Sequence, residues 1–573
     1  MGIFVNPFKK HDERSFPDVV IPLSDASPPV VKLDKESSTD TGLSEKGAAP
    51  PLQDYPRLTI ETLRAEVESD IGASGHDTAY DRKSKIINRA IQDIGMGRYQ
   101  WQLFVLCGFG WTADNLWLQG VALTLPKLSL EFGISDSYVR FTTCSLFIGL
   151  CLGAVVWGTS SDVIGRRLAF NLTLFLTGVF GLAAGGGQTW IAVCALFACL
   201  GLGVGGNLPV DGALFLEFLP FASGNLLTLL SVWWPIGQLI ASLIAWGFIP
   251  NFSCDDGLPS CLNSPAPCCS KEDNMGWRYH TLTIGALTFV MFLCRFFLFH
   301  LYESPKFLLS RGRQNEAVAV VHAVAYKNKA KTWLTEEILN EVGGHPEQTN
   351  NQKLSNVEII RRQMGKFSGE RIAPLFATKR LAITTLLLWF CWATIGMAYP
   401  LFNAFLPQYL ARGGGDHPPP STNTVYRNYA ITSIVGVPGS IIGCYTVDIP
   451  YIGRKGTMAI STLLTAITLF CFPISSDPKA QLACGSLEAL FQNIMYGVLY
   501  AYTPEVFPAP NRGTGTGIAS ALNRICGLLA PIVAIYGGEA NPNAPIYASA
   551  GLFLAAAVAM CCLPIETRGK QSL

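Results

Sequence analysis

Twelve stretches of mostly apolar residues dominate the chain, each near the ~20 residues a helix needs to cross ~30 Å of hydrocarbon. They fall at about 102–126, 138–158, 168–187, 190–215, 225–249 and 279–301, then at about 381–407, 427–447, 456–474, 481–503, 514–536 and 546–564. Run length and the lack of alternating polarity predict spanning helices rather than a barrel, because only these two structures satisfy every backbone polar group inside a bilayer. Composition agrees: 49% of the 573 residues are hydrophobic and 14% charged, where a soluble domain carries ~25% charged residues. A formal net charge of +1 gives no case for nucleic acid as a partner. No zinc, P-loop or dinucleotide-binding spacing occurs in a fitting context, so neither a cofactor nor enzyme chemistry is expected.

The runs come in two sets that share punctuation. Gly158-Thr-Ser-Ser-Asp162-Val-Ile-Gly165-Arg166-Arg167 is a short polar hairpin between the second and third runs, and it is echoed by Gly443 to Lys455, with Asp448, Gly453, Arg454 and Lys455. Glu217-Phe-Leu-Pro220 returns as Glu505-Val-Phe-Pro508, and Glu303-Ser-Pro305 is matched by Pro564-Ile-Glu566-Thr567. The offsets are similar for three different motifs (443 − 158 = 285, 505 − 217 = 288, 566 − 303 = 263), which predicts a duplicated six-helix unit. The expected organisation is a tail over 1–85 too polar to fold alone, a six-helix bundle over 86–305, a linker over 306–380, a second bundle over 381–566 and a short tail over 567–573.

Lys and Arg in the short loops set orientation. Arg166, Arg167, the basic segment 306–380, Arg454, Lys455, Arg512, Arg568 and Lys570 share one face if both termini are cytosolic, with Lys271, Arg278, Arg412 and Arg427 as exceptions. That places the loop 250–278 outside. It holds Cys254, Cys261, Cys268 and Cys269, four of the 17 cysteines, and the acceptor pattern Asn251-Phe-Ser253. Two disulfides with three possible pairings are expected there, the adjacent pair being least favourable geometrically, along with a glycan on Asn251. A multi-pass protein of the plasma membrane, monomeric in the bilayer, is the expected setting.

The hairpin and its echo resemble the loop between the second and third helices of each half in the major facilitator superfamily of transporters. GMGRYQWQLFVLCGFGWTADNLWLQG, GNLPVDGALFLEFLP, YESPKFLL and LPIETRGK are similar to the sugar-porter-related branch, and within it to the synaptic-vesicle-protein-like and niacin or aromatic-acid transporter group with its fungal members. The resemblance covers about 90–568 and implies an all-α membrane protein of twelve transmembrane helices in two six-helix bundles. It also implies that Gly158, Asp162, Gly165, Arg166, Arg167, Asp448, Arg454 and Lys455 belong to gating loops that bridge the bundles by ion pairs in the outward-facing state. Glu505 through Arg512-Gly513 fits the family's Glu-x-x-Pro-x-x-x-Arg-Gly acid-base latch. In the first half Glu217 and Pro220 are kept, but Gly224 and Asn225 stand where Arg and Gly would, so Glu217 is expected to pair with Arg166 or Arg167, or to sit in water. Phe197 stands where the family pattern often has an arginine implicated in proton coupling, which moves that expected role onto Asp114 or Asp211.

Charges inside the runs are functional candidates, since each costs at least ~2.5 kcal/mol at the bilayer centre. Asp114 is about twelve residues into the first run, so ~18 Å deep, and Arg524 about ten residues into the eleventh, so ~15 Å deep. Asp211 follows a Gly- and Pro-rich stretch and is expected to face the cytosolic third of a central cavity. Arg295 and His300 are expected to be anchors near the end of the sixth helix. Trp117, Gln119, Gln238, Asn493, Tyr496 and Tyr500 are the candidate cavity lining, with packing as the alternative role for each. The expected function is alternating-access transport of a small organic solute, a carboxylate, sugar or related metabolite, in symport with a proton exchanged at Asp114 or Asp211. The alternatives are proton-antiport efflux of a toxic or secondary metabolite, and a non-transporting nutrient sensor, against which the short C-terminal tail speaks.

Overall fold

The structure, a computed structural model, describes residues 16–25, 58–74, 79–220, 225–255, 258–265, 267–344, 369–412, 420–474, 477–507 and 512–567. A helix stands at each of the twelve apolar runs. In the first half these are α3 (Arg98–Phe132), α4 (Phe141–Ile164), α5 (Arg166–Gly185), α6 (Trp190–Phe218), α7 (Trp233–Phe248) and α8 (Gly276–Leu293). Two further helices, α1 (Ile60–Ser74) and α2 (Ala79–Ile94), precede them, and α9 (Gln314–Asn328) and α10 (Glu336–Gly343) follow. The second half comprises α11 (Lys379–Asn403), α12 (Thr422–Thr446), α13 (Gly453–Cys471), α14 (Pro478–Val506), α15 (Arg512–Ala540) and α16 (Ala544–Cys561).

Among the described residues, nine helices are long and apolar enough by composition to cross a membrane. The remaining runs of the twelve are α3, α13 and α14, and their sequences explain the shortfall. Helix α3 carries Asp114, Asn115, Gln119, Lys127 and Glu131, and α14 carries Glu488, Gln492 and Asn493, all buried against protein. Such residues are excluded from lipid but are tolerated where neighbouring helices satisfy them. Helix α13 buries Thr457, Ser461, Thr462 and Thr465, whose hydroxyls bond back to carbonyls one turn earlier.

Packing within each half depends on small residues. In α4, a Cβ added at Gly149 would lie 2.0 Å from the Ala198 carbonyl oxygen of α6, and one at Gly205 of α6 would lie 2.3 Å from the Leu150 carbonyl oxygen of α4. The two backbones therefore touch along Gly149/Gly153 and Gly201/Gly205, a small-xxx-small seam on both partners. Between the halves, α7 packs on α12 and α4 on α15. Two of the predicted runs are broken. The fifth begins as a short turn, Asn225–Leu230, before α7, and the seventh stops at Asn403 and resumes at Leu406–Arg412.

The segment expected to lack structure up to residue 85 is helical in α1 and α2. Leu63 and Val67, one turn apart, are buried, as are Ile86, Ile87, Ala90, Ile91 and Ile94. Average composition hid the α1 part of this stripe, while KSKIINRAIQDI from Lys83 onward reads as amphipathic in the sequence itself, and the stripe finds its partner in the linker. Lys83 Nζ donates to Gln314 Oε1 at 2.6 Å and to Asn340 Oδ1 at 3.1 Å, and Trp333 Nε1 donates to Asp93 Oδ2 at 2.8 Å. Asn328 accepts from the Tyr99 amide at 2.9 Å, so the linker also caps the start of α3.

On the opposite face, Cys254 pairs with Cys269 and Cys261 with Cys268, one of the three pairings and not the adjacent one. Asn251 is exposed. Beneath this loop Glu131 accepts from Trp277 Nε1 at 2.7 Å and from Arg278 at 2.5 Å, so Arg278 is a buried pin and not a stray loop charge.

The α4/α6 seam yields a first prediction. Gly205→Leu has no room without moving backbone and is expected to cost at least the ~1–3 kcal/mol of an overpacked core, lowering the melting temperature of purified protein in thermal-shift measurements. Gly212→Leu, where an added Cβ meets open space, is the control that leaves it unchanged.

Candidate functional site

The repeated motifs build the same clasp twice, once within each half. At the start of α5, Glu303 Oε1 accepts from the backbone amides of Arg166 at 3.0 Å and Arg167 at 3.2 Å. At the start of α13, Glu566 accepts from the amides of Arg454 and Lys455, both at 3.1 Å. A carboxylate on free N–H groups at a helix N-terminus is favourable both as a cap and towards the helix dipole. Gly165 (φ +109°) and Gly453 (φ +60°) make the approach possible, and a Cβ on either would collide with the carboxylate. Each arginine then reaches the glutamate of the fourth helix of its half: Arg166 to Glu217 at 2.9 Å, and Arg454 to Glu505 at 2.8 Å. Thr567 Oγ1 also donates to Glu505 at 2.9 Å.

Each of these bonds stays inside one half, whereas the resemblance leads to the expectation of ion pairs that bridge the bundles in the outward-facing state. Glu217 finds Arg166, one of its expected partners. Gly158 borders open space, and Asp448 is exposed in the turn after α12. The side chains of Asp162 and Arg512 lie outside the described residues. Burial raises Glu303 above the ordinary carboxylate range, and the Ser304, Arg167 and Arg166 amides work against that shift.

At membrane depth the halves meet around Asp114. Its Oδ2 accepts from Trp234 Nε1 at 2.9 Å, and its Oδ1 lies 3.8 Å from the Arg524 guanidinium of α15. The second distance is an ion pair but too long for a hydrogen bond. Beside it is a small cavity of about 10 Å³ lined by Trp111, Ser231, Trp234, Ser440, Asn493, Tyr496, Gly497 and Tyr500. Ligand pockets commonly enclose ~300–1,000 Å³, so a solute enters this space only if the halves move apart. Rings pack around the cleft: Trp234 and Tyr496 have centroids 5.2 Å apart, and Trp111 and Tyr500 5.3 Å.

Towards the disulfide face the interface is sealed by a second polar layer. Gln119 Nε2 donates to Tyr399 Oη at 2.5 Å, Tyr399 donates to Asn115 Oδ1 at 3.2 Å, and Tyr429 donates to Gln119 Oε1. Gln238 is buried beside Tyr429. Further out, Arg140 donates to Gln408 at 3.0 Å and to the Ala534 carbonyl at 2.6 Å, and Tyr426 donates to the Leu123 carbonyl at 2.7 Å. Trp117 turns away from the interface and donates to Thr288 of α8 at 3.0 Å, so it packs inside the first half.

Asp211 is also displaced from its expected place. It is fully buried within the first half and accepts from Arg295 at 2.6 Å. Arg295 in turn donates to the Leu106 and Phe170 carbonyls, both at 2.9 Å, and lies over the Phe170 ring. The expected anchor is therefore a buried pin, drawn in because Asp211 and two carbonyls offer it more than the membrane surface does. Residues missed in the sequence are Tyr399, Tyr429, Asn403, Gln492 and Glu488. The last sits inside the run 481–503 and was visible as an intramembrane carboxylate.

Two six-helix bundles with a polar, ring-lined interface define a membrane transporter of small solutes. The chain belongs to the Major Facilitator Superfamily, which it matches over residues 103–448 and 421–572. It is 42% identical, over 92% of its length and 100% of the relative's, to MFS siderochrome iron transporter 1 of Ceriporiopsis subvermispora. It is 41% identical to the major facilitator-type transporter hxnZ of Emericella nidulans, over 89% of this chain and 91% of the relative. It is 26% identical to the synaptic vesicle 2-related protein of Rattus norvegicus, over 95% and 92%. Its fold is similar to that of the proton:xylose symporter XylE, with a TM-score of 0.58 at 19% identity, over 83% of this chain and 98% of that one.

If Glu303 acts as an acceptor for amides, Glu303→Gln keeps an acceptor and is expected to cost under ~1 kcal/mol. Glu303→Ala strands the Arg166, Arg167 and Ser304 amides and is expected to cost ~1–3 kcal/mol. Chemical denaturation of the purified chain separates the two values, and equal losses would show that the amides are not what Glu303 holds.

Proposed function

We propose that the protein is a proton-coupled symporter of small organic solutes, with organic carboxylates as its substrate class, working by alternating access between the two bundles. The observation that carries this reading is the loose Asp114–Arg524 pair across the halves beside the ring-lined cleft. A proton on Asp114 removes the charge that holds Arg524, and the freed guanidinium can then take a substrate carboxylate in the bidentate manner that suits it. Proton and substrate thus bind together, which is the requirement for symport. Gln119, Gln238, Asn493 and Tyr496 orient the solute. Asp211 with Arg295 holds the first bundle rigid around the site.

The same reading assigns the clasp residues a gating role. Each clasp keeps its half a rigid body, so rocking occurs at the interface and not inside a bundle. The clasp face is cytosolic and the disulfide face extracellular, in a monomeric plasma-membrane protein with both termini inside and a glycan on Asn251. The bundles extend over 86–305 and 381–566, with 306–380 as the cytosolic linker.

The rings of Trp111, Trp234, Tyr496 and Tyr500 around an acid favour a second reading, uptake of an organic cation, since ammonium groups bind aromatic faces. An uptake panel in proteoliposomes decides between them, using radiolabelled aromatic and aliphatic carboxylates, sugars and quaternary amines under an imposed pH gradient of either sign. The expected result is carboxylate uptake that follows the proton gradient. Asp114→Asn is expected to abolish gradient-driven uptake, and Arg524→Ala to weaken carboxylate binding by at least ~10-fold, the equivalent of 1.4 kcal/mol. Uptake of amines that survives Arg524→Ala would establish the cation reading instead.

A further inference from the structure

The second half contains a buried carboxylate that the Asp114–Arg524 scheme leaves unused. Glu488, on α14, is 1% exposed. Its Oε1 accepts from Gln492 Nε2 at 2.7 Å and from Asn403 Nδ2 at 3.2 Å. Its Oε2 is enclosed and has no hydrogen-bond partner. The ionisable groups that interact with it are Tyr399 of α11, Tyr429 of α12 and Tyr496 of α14. Tyr399 and Tyr429 give their protons to Asn115 and Gln119. Arg524 is turned to Asp114. Among the described residues no cation forms a salt bridge with Glu488.

We propose that Glu488 is a proton-binding site of the second bundle, which takes up one proton on Oε2 when the disulfide face opens and retains it while that face is closed. An isolated buried carboxylate costs several kcal/mol, whereas a neutral acid costs only an unmade hydrogen bond. Two neutral amides on a single oxygen do not offset a full charge, so the closed arrangement fits the protonated acid. Uptake is a simple transfer: one proton from hydronium to the carboxylate, leaving water, with no other bond changed.

The link to conformation runs through Asn403. This residue ends α11 at the break, and the following segment, Leu406–Arg412, packs against α3. In that segment Gln408 accepts from Arg140 across the halves. The groups that hold Glu488 and the groups that seal the disulfide face are therefore carried by one interrupted helix. Opening the seal moves the break, admits water to Oε2 and permits ionisation, so loss of the proton favours the open state and its return favours closure.

The inference rests on the proton-coupled reading above, and its test is independent of transport. Infrared difference spectra of the full chain in lipid nanodiscs, titrated with pH, report the carbonyl stretch of protonated carboxyl groups. The expected native spectrum has a protonated-carboxyl band at neutral pH that fades as pH rises. Glu488→Gln, which mimics the neutral acid in shape and acceptors, is expected to lose the contribution of one carboxyl. Glu488→Asp should shift that contribution, and Asp114→Asn should leave it in place. A pH difference spectrum unchanged in Glu488→Gln, or a band removed by Asp114→Asn alone, would overturn the assignment. If Glu488→Gln does not fold, an unshifted band in Glu488→Asp overturns it equally. A Glu488 band in a protein whose uptake ignores pH gradients would instead end the coupling reading and leave the proton site standing.

Discussion

A charge or amide that leaves water for the membrane interior must find its partner within the protein, and the placement of polar residues in this chain follows from that constraint. The buried pairs Arg295–Asp211 and Arg278–Glu131 are met entirely inside the first half, with backbone carbonyls accepting further bonds from both arginines. Such pairs add little net stability over apolar packing, but removing one member leaves a stranded charge. They therefore act as fixed points that make each bundle resist internal rearrangement. The groups that cross between the halves are mostly neutral hydrogen bonds, such as Tyr426 to the Leu123 carbonyl and the Gln119–Tyr399–Tyr429 cluster, together with the bonds of Arg140 to Gln408 and the Ala534 carbonyl and the long Asp114–Arg524 pair. Close charge pairs kept inside the first bundle and mainly neutral contacts between the bundles suit a rocking mechanism.

The two clasps carry the same division to the other face. Each uses a glutamate from the end of one helix to cap the start of another, and an arginine from that start to bind a glutamate on a third. Three elements of a single bundle are thereby tied at one point. Six helices separate the first copy from the second, an even number of crossings, so both clasps lie on one face. A loop that bridged the bundles directly would have to break at every cycle. A clasp that stays within its bundle need only slide past its counterpart.

Much of this was legible in the sequence, for definable reasons. Run length and the repeated Gly-Arg motif gave the helix positions and the duplication, because hydrocarbon thickness and chain geometry leave few alternatives. The partner of Glu217 was narrowed to two arginines by charge alone. What sequence could not supply was the rotation of each helix about its axis. Asp211 follows a Gly- and Pro-rich stretch that suggests a cavity wall, yet the close α4/α6 seam turns it towards Arg295, in the helical turn that follows α8, instead. Trp117 and Gln119 are two residues apart on α3, so they face different ways, and only the second reaches the interface. The α1 stripe was missed because a composition average over 85 residues masks a short amphipathic period.

The two membrane carboxylates at the interface differ in a way that bears on order of events. Asp114 has a cation nearby and an indole donor on one oxygen, so its charged form is tolerable in the closed state, and on the symport reading proposed above its proton exchanges against Arg524 and substrate. Glu488 has only amides, so its charge is tolerable only when water reaches it. A site of the first kind reports the presence of substrate, and a site of the second reports whether the gate is open. On the symport reading proposed above, a substrate charge at Arg524 is met by a proton at Asp114 while closure itself demands a proton at Glu488. Opening to the disulfide face without a proton on Glu488 is then permitted, but returning to the closed state is not. On that reading, coupling of transport to the gradient would follow from the prohibition alone and would need no direct contact between the two acids.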